Sequence, residues 1–312
     1  MKALVTGGAG FIGHHLVRAL VQRGDEVAVL DDLSNGRISR LDPVIDRIAF
    51  TQGSILEPAA LDRAITGAEV VFHEAAIVSV AKSTSDPRLA NEVNVGGTIE
   101  VMQAAARHRV RRVVFAGSSA VYGASQRLPC TEDQRPSPTS PYGVSKLAGE
   151  HYVHALGSLN GVETVVLRYF NVYGPGQDPD SEYAAVIPKF ITAVVDGTRP
   201  TIYGTGATSR DFVYVDDVVA ANMLAAAASS HSELTCNVAT GSRTTLLELL
   251  REVCVPAGRD VEPTYGPPRE GDILHSQGDI TAARRALGYQ VSVSLREGIA
   301  RSMAWHQGQQ KA

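Results

Sequence analysis

Thr6 to Gly13 reads TGGAGFIG, three glycines in a G-x-x-G-x-x-G spacing directly behind an apolar run and ahead of the helical pattern FIGHHLVRALVQR. A strand that turns so tightly into a helix needs residues without a Cβ. Gly7 serves the turn, Gly10 the close approach of a pyrophosphate, and Gly13 the packing of helix on strand. The free N–H groups and positive dipole end of that helix favour the phosphates. Asp31 closes the second apolar run, eighteen residues after Gly13. A carboxylate there accepts hydrogen bonds from both hydroxyls of a ribose. Asp32 follows it, and no arginine lies nearer than Arg37. Two acids repel a 2′-phosphate, so the pattern predicts NAD rather than NADP.

The chain continues as an alternation. Ala3–Gly7, Val27–Asp31, Ile48–Gly53, Val70–Ala76, Val113–Ser119 and Thr164–Phe170 are short, almost continuously apolar runs, as parallel strands covered on both faces require. Helical patterns at Phe11–Arg23, Pro58–Ile65, Pro87–His108 and Tyr142–Leu156 separate them. The fold class expected is α/β: a Rossmann-type doubly wound parallel sheet with a smaller interleaved C-terminal α/β substrate domain. After Phe170 the texture changes to loop-like NVYGPGQDPDSEY, a helix near Ala184–Asp196, the short strand TIYG, a return to the sheet within Phe212–Ala228 and a helix near Thr245–Val255. Residues 1–170, with 212–238 returning to them, are read as the dinucleotide domain. Residues 171–211 and 239–312 are read as the substrate domain and a lid over the sheet's carboxyl edge.

Composition narrows the function. The 312 residues carry a net charge of -4, which gives nucleic acid or an anionic membrane no electrostatic purchase. The basic run Arg107–Arg112 reads as a helix C-terminus ahead of a strand. Cys130, Cys236 and Cys254 are scattered with no C-x-x-C, which argues against disulfides or zinc and suits a reducing cytoplasm. Val218–Ala228 is too short for a membrane span. His151 and His154 lack a third ligand, so no metal is expected.

SPYGVSK, Ser140 to Lys146, places Tyr142 and Lys146 four residues apart behind a Ser-Pro helix start. Residues i and i+4 share a helix face, so the two head groups meet. A tyrosine of pKa about 10 is a poor base at neutral pH, and an adjacent ammonium favours its phenolate. Together with TGGAGFIG, the Asp after the second strand and VYG (Val121–Gly123), this pair resembles the extended short-chain dehydrogenase/reductase family over nearly the whole chain.

The resemblance implies that Tyr142 is the acid/base, Lys146 its partner on the nicotinamide ribose and Ser118 the residue holding the substrate oxygen. It further implies a cofactor lining of Phe11, Ile12, Asn35, Gly36, Ser54, Ile55, Ala75, Ala76 and Asn94 besides Gly7, Gly10, Gly13, Asp31 and Asp32. Family members usually carry Asp where this chain has Ser54. Sugar-nucleotide dehydratases place an acid one or two positions beyond the Ser/Thr, where this chain has Ser119 and Ala120, and SSAVYG resembles the UDP-hexose 4-epimerases instead. On the same resemblance Ser79, Ser119, Asn171, Val186, Lys189, Thr201, Tyr203, Arg210, Arg269, Asp272 and Ser276 would contact a UDP-sugar, with Arg210 and Arg269 clamping the pyrophosphate. Ser276 falls at the pocket-size position, and its small side chain leaves room for an N-acetyl group. Relatives acting on UDP-glucuronate carry Arg at the position of Asp178 and Thr at that of Asn171, so an acid at Asp178 is read as repelling a uronate. The reading is a UDP-hexose 4-epimerase, cytoplasmic and homodimeric through a four-helix interface. Its rivals are a 4-reductase, a 4,6-dehydratase, a UDP-glucuronate 4-epimerase and a non-catalytic NAD-binding scaffold.

Overall fold

The computed structural model describes residues 1–124, 127–178, 186–229, 233–268 and 273–309. Its first half is β1 (Lys2–Thr6), α1 (Phe11–Arg23), β2 (Glu26–Asp31), β3 (Ile48–Gln52), α2 (Pro58–Ile65), β4 (Val70–His73), α3 (Val80–Ser85), α4 (Pro87–Asn91), α5 (Gly97–Arg107), β5 (Arg112–Ser118), α6 (Pro141–Asn160) and β6 (Glu163–Tyr169). The remainder is β7 (Asn171–Tyr173), α7 (Val186–Asp196), β8 (Thr201–Tyr203), β9 (Ser209–Arg210), β10 (Phe212–Tyr214), α8 (Val215–Ala227), β11 (Glu233–Val238), β12 (Thr244–Thr245), α9 (Leu246–Ala257), β13 (Thr264–Gly266), α10 (Thr281–Leu287) and α11 (Leu295–Gln309). Among these residues, seven strands form one parallel sheet in the order β11-β6-β5-β4-β1-β2-β3. Connections run outward in opposite directions from β1 and β4, so a crevice opens at their carboxyl ends, where doubly wound sheets bind ligands.

Why the strands read as unbroken apolar runs is now visible. Successive side chains alternate faces, and both faces are covered. Ala3, Val5, Val70 and Phe72 pack toward α1 and α8 with Leu16, Leu20, Val218 and Ala221. Leu4 and Val71 point the other way, onto Leu61 of α2, Val101 of α5 and Val153 of α6. A third core gathers Phe190 of α7, Leu249 and Val253 of α9 and Ile299 of α11 around Tyr173 and Tyr214.

Four segments depart from the sequence reading or lie outside it. The stretch Phe212–Ala228 does not enter the large sheet. Phe212–Tyr214 pairs with β7, and Val215–Ala227 is helical, while the strand that joins β6 is β11. ELTCNV mixes Thr, Cys and Asn with few apolar residues, and so carried little strand signal. Pro87–His108 is not one α-helix but α4 and α5 joined by a π turn at Glu92–Gly96. The short helix α3 and a 3-10 stretch at Ile38–Arg47 had no expectation attached.

The basic run is absorbed locally. Arg107 and His108 bind Asp62 at 2.9 and 3.0 Å, and Arg112, fully buried, binds Glu163 and the carbonyls closing α8. Arg168 of β6 reaches Glu150 of α6 at 3.0 and 2.5 Å, both residues only 4% exposed. This pair fixes α6, two turns beyond its start, to the sheet. Removing one partner strands a buried charge. Arg168→Met is expected to destabilise the protein by about 3–5 kcal/mol, read from the urea midpoint. An unchanged midpoint would contradict that role.

Candidate active site

Gly7 sits at φ +70°, and a Cβ there would lie 2.7 Å from the Ala75 nitrogen. At Gly13 a Cβ would run into the Gly7 carbonyl oxygen. Both positions exclude any side chain, and so bring backbone up to the crevice. Asp31 ties the next turn to this one, its Oδ2 accepting from Ala9 N at 2.9 Å and its Oδ1 from Leu33 N at 2.8 Å. Burial raises its pKa while these two backbone bonds oppose the rise. Asp32 accepts from Ser34 N and Oγ at 2.9 and 2.6 Å.

These turns enclose one end of a cavity of about 500 Å³. On its wall the structure places Gly7, Gly10, Phe11, Ile12, Gly13, Asp31, Asp32, Asn35, Gly36, Ser54, Ile55, Ala75 and Ala76, and at its other end Ser118, Tyr142 and Lys146. A cradle made of backbone, with two acids in its wall, fits a dinucleotide lacking the extra phosphate of NADP. Asn94 is not on the wall but buried behind it, accepting from Ile77 N at 2.7 Å and donating to Ser145 Oγ at 2.9 Å. Ser145 in turn donates to the Tyr142 carbonyl at 2.8 Å.

The helix start that carries Tyr142 is fixed twice. Ser140 caps it through Gly143 N at 3.1 Å, with Pro141 in the first turn, and Ser83 of α3 accepts from Tyr142 N at 3.0 Å. Ser118 ends β5, accepts from Ala120 N at 3.1 Å and lies on the cavity wall with the Tyr142 phenol. Burial pushes that phenol above its ordinary pKa, the Ser118 hydroxyl pulls it back, and Glu74 pushes it up again. For the protein alone, then, burial rather than Lys146 dominates Tyr142. Lys146, 3% exposed, sits over the Phe115 ring with its ammonium 4.6 Å from the centroid. Desolvation pushes it down to about 8, against the pull of Glu74.

A second cluster lies beyond the sheet edge. Asn171 of β7 donates to the Asp211 carbonyl at 3.1 Å and to Ser276 Oγ at 3.3 Å, and Ser276 N donates to Ser209 O at 3.1 Å beside Arg210. Arg210 donates to the Ser209 and Leu274 carbonyls at 3.0 and 3.3 Å. Val186 and Lys189 start α7, while Thr201 and Tyr203 are exposed on β8. Ser119 opens the turn after β5, and Ser79 caps α3 through Lys82 N at 3.0 Å. Arg269 and Asp272 lie outside the described residues. Asp178 is not an acid left open to repel a uronate, because it binds Arg37 at 2.5 Å. Glu74, which the sequence reading passed over, lines the cavity with Tyr142 and Lys146. Its only signal was an acid inside the apolar run VVFHEAA.

A glycine cradle, an acid after the second strand and a Ser118–Tyr142–Lys146 cluster at one cavity define a dinucleotide-dependent enzyme of the extended short-chain dehydrogenase/reductase type. Residues 3–239 match the NAD dependent epimerase/dehydratase family, and the chain belongs to it, with NAD as its cofactor. It is 40% identical over 312 residues to the UDP-glucose 4-epimerase of Mycolicibacterium smegmatis, covering 97% of each chain. It is similar to the UDP-N-acetylglucosamine 4-epimerase of Methanobrevibacter ruminantium in complex with UDP-N-acetylmuramic acid, at 35% identity and TM-score 0.94 over 99% of this chain and 98% of the other. The UDP-glucose 4-epimerase of Thermus thermophilus in complex with NAD is 38% identical at TM-score 0.90, over 99% of both chains. Among the described residues no helix is long and apolar enough to cross a membrane, and no three His, Cys, Asp or Glu are grouped to hold a metal.

Arg37–Asp178, Arg40 to the Gly176 carbonyl at 2.9 Å and His15 to the Pro175 carbonyl at 2.8 Å clasp the 175–178 loop onto α1 and the segment that follows Gly36. The ion pair is partly exposed, worth about 0.2–1 kcal/mol. Asp178→Ala is expected to speed release of bound NAD roughly two- to fivefold, measured by trapping the freed dinucleotide. An unchanged release rate would mean that the pair does not slow departure of the dinucleotide.

Proposed function

We propose that the protein inverts C4 of a UDP-hexose through a transient 4-keto sugar. The observation that carries this reading is the convergence of Ser118, Tyr142 and Lys146 on one wall at the end of the dinucleotide cavity. Tyr142 takes the proton of the sugar 4-hydroxyl and later returns it, and Ser118 holds that oxygen through both steps. Lys146 keeps a cation beside the phenolate. Bound NAD supplies a reversible hydride acceptor and, when oxidised, a positive ring charge that favours the phenolate. Oxidation and reduction at one carbon cancel, so no second redox partner is required.

Ala120 supports epimerisation over dehydration, because a methyl group cannot deliver the proton needed to expel water. On this reading the Asn171–Ser276–Arg210 cluster, with Arg269 and Asp272, holds the nucleotide diphosphate while the keto sugar turns. Ser79, Ser119, Val186, Lys189, Thr201 and Tyr203 complete the substrate surface. The small Ser276 side chain leaves space for an N-acetyl group, so UDP-N-acetylglucosamine and UDP-glucose are both assigned as substrates. Residues 1–170 with 212–238 serve the dinucleotide, and 171–211 with 239–312 serve the UDP-sugar.

A second copy of the chain is proposed to cover α6, where Val144, Tyr152 and Leu159 lie 53%, 43% and 80% exposed at seven- and eight-residue spacings. Such a stripe on one helix face suits a four-helix homodimer in the cytoplasm.

Incubating the NAD-loaded enzyme separately with UDP-glucose, UDP-N-acetylglucosamine and UDP-glucuronate, and identifying the products, tests the assignment. The C4 epimers of the first two are expected, while an absorbing 4-keto-6-deoxy product or net NADH consumption would favour the rivals. Tyr142→Phe should lower kcat by about 10²–10⁴-fold with circular dichroism unchanged. Activity within a few-fold of wild type would remove Tyr142 from its role.

A further inference from the structure

Glu74 follows the last residue of β4 and stands on the cavity wall with Ser118, Tyr142 and Lys146. It is held there by a buried polar chain. Asn222 of α8, fully buried, donates one amide hydrogen to the Val218 carbonyl at 3.0 Å and the other to Tyr169 Oη at 2.7 Å. With its oxygen so occupied, Tyr169 donates its own proton to Glu74 Oε1 at 2.7 Å. The direction of every bond is therefore set from α8 to the cavity, and Oε1 of Glu74 is always the acceptor.

We propose that Glu74 is a positioning residue of the active site, an acid anchored by Tyr169 and Asn222 whose charge sets the protonation of Tyr142 and Lys146. The proposal rests on reading Tyr142 as the proton acceptor. A carboxylate beside a phenol and an ammonium opposes phenolate and supports ammonium. Among the described residues, the titratable groups that interact with Glu74 are Tyr142 and Lys146 from α6 and Tyr169 from β6. On its own strand His73 is held neutral, with a pKa near 3, between Thr6 and Thr98. Desolvation lifts Glu74 to about 7, while the Tyr169 bond and Lys146 pull it back. Above about pH 7 Glu74 is charged and holds the Tyr142 proton on; below it Glu74 is neutral and that restraint is gone. Glu74 thus makes the strength of the base depend on pH across the neutral range.

Glu74→Gln keeps an oxygen for Tyr169 and removes the charge. Tyr142 ionisation is read without turnover, as the ultraviolet phenolate titration of each protein minus that of its Tyr142→Phe counterpart. The Glu74→Gln variant is expected to titrate about one pH unit lower than wild type, and the kcat/KM profile to move down in pH with it. Glu74→Asp should keep the profile near wild type. Glu74→Met, which removes the charge and leaves no amide in its place, should move Tyr142 in the same direction. This variant decides the matter if the Glu74→Gln protein fails to fold. Superimposable titrations for wild type and Glu74→Gln, or for wild type and Glu74→Met where Glu74→Gln does not fold, would overturn the role of Glu74. The titration needs no substrate, so that result is distinct from failure of the epimerase reading, which would show as wild-type protein forming no C4 epimer.

Discussion

Asp31 is the point on which the site is hung. Its two carboxylate oxygens accept the Ala9 and Leu33 amides, and so tie the glycine turn after β1 to the turn after β2. The same carboxylate blocks any side chain at Gly36, where a Cβ would lie 2.5 Å from Oδ1. One buried acid therefore spaces two loops that must both approach the dinucleotide. The desolvation it suffers is offset by backbone N–H donors. Everything downstream is measured from this corner: the cavity running along the sheet's carboxyl edge, and the Tyr142 helix at its far end.

From that corner the catalytic end is reached through a second series of fixed contacts. Thr6 binds His73, His73 binds Thr98, Thr98 binds the Asn94 carbonyl, and Asn94 binds Ser145 under Tyr142. Each link is buried and satisfied, which is how a polar chain stiffens a core rather than weakening it. The opposite face carries the Asn222–Tyr169–Glu74 chain. Tyr142 and Lys146 thus sit between two polar systems, one that holds their helix and one that biases their charge.

Most of the parallel sheet was legible because strands buried on both faces must be apolar throughout, and helices such as Phe11–Arg23 and Pro58–Ile65 carry a clear 3.6-residue period. What escaped was structure decided by distant partners. β11 joins the sheet through backbone pairing with β6, not through its own composition. The π turn at Glu92–Gly96 leaves no mark in the periodicity of its neighbours. Asp178 illustrates the same limit at the site: an exposed acid in isolation, it becomes half of an ion pair once Arg37, 141 positions away, folds against it. Tyr142 and Lys146, by contrast, were readable together because four residues on a helix fix their neighbourhood locally. Glu74 was unreadable because its partners lie on two distant elements, α6 and β6.

The central claim is that oxidation and reduction occur at one carbon and that no solvent-derived hydrogen enters the sugar framework. Running the conversion of UDP-glucose in deuterium oxide and following the sugar by proton NMR tests it directly. The account predicts a C4-inverted product with full protium at C4 and C5. Deuterium at either carbon would contradict it, since it would mean that a carbon-bound proton had been removed to solvent.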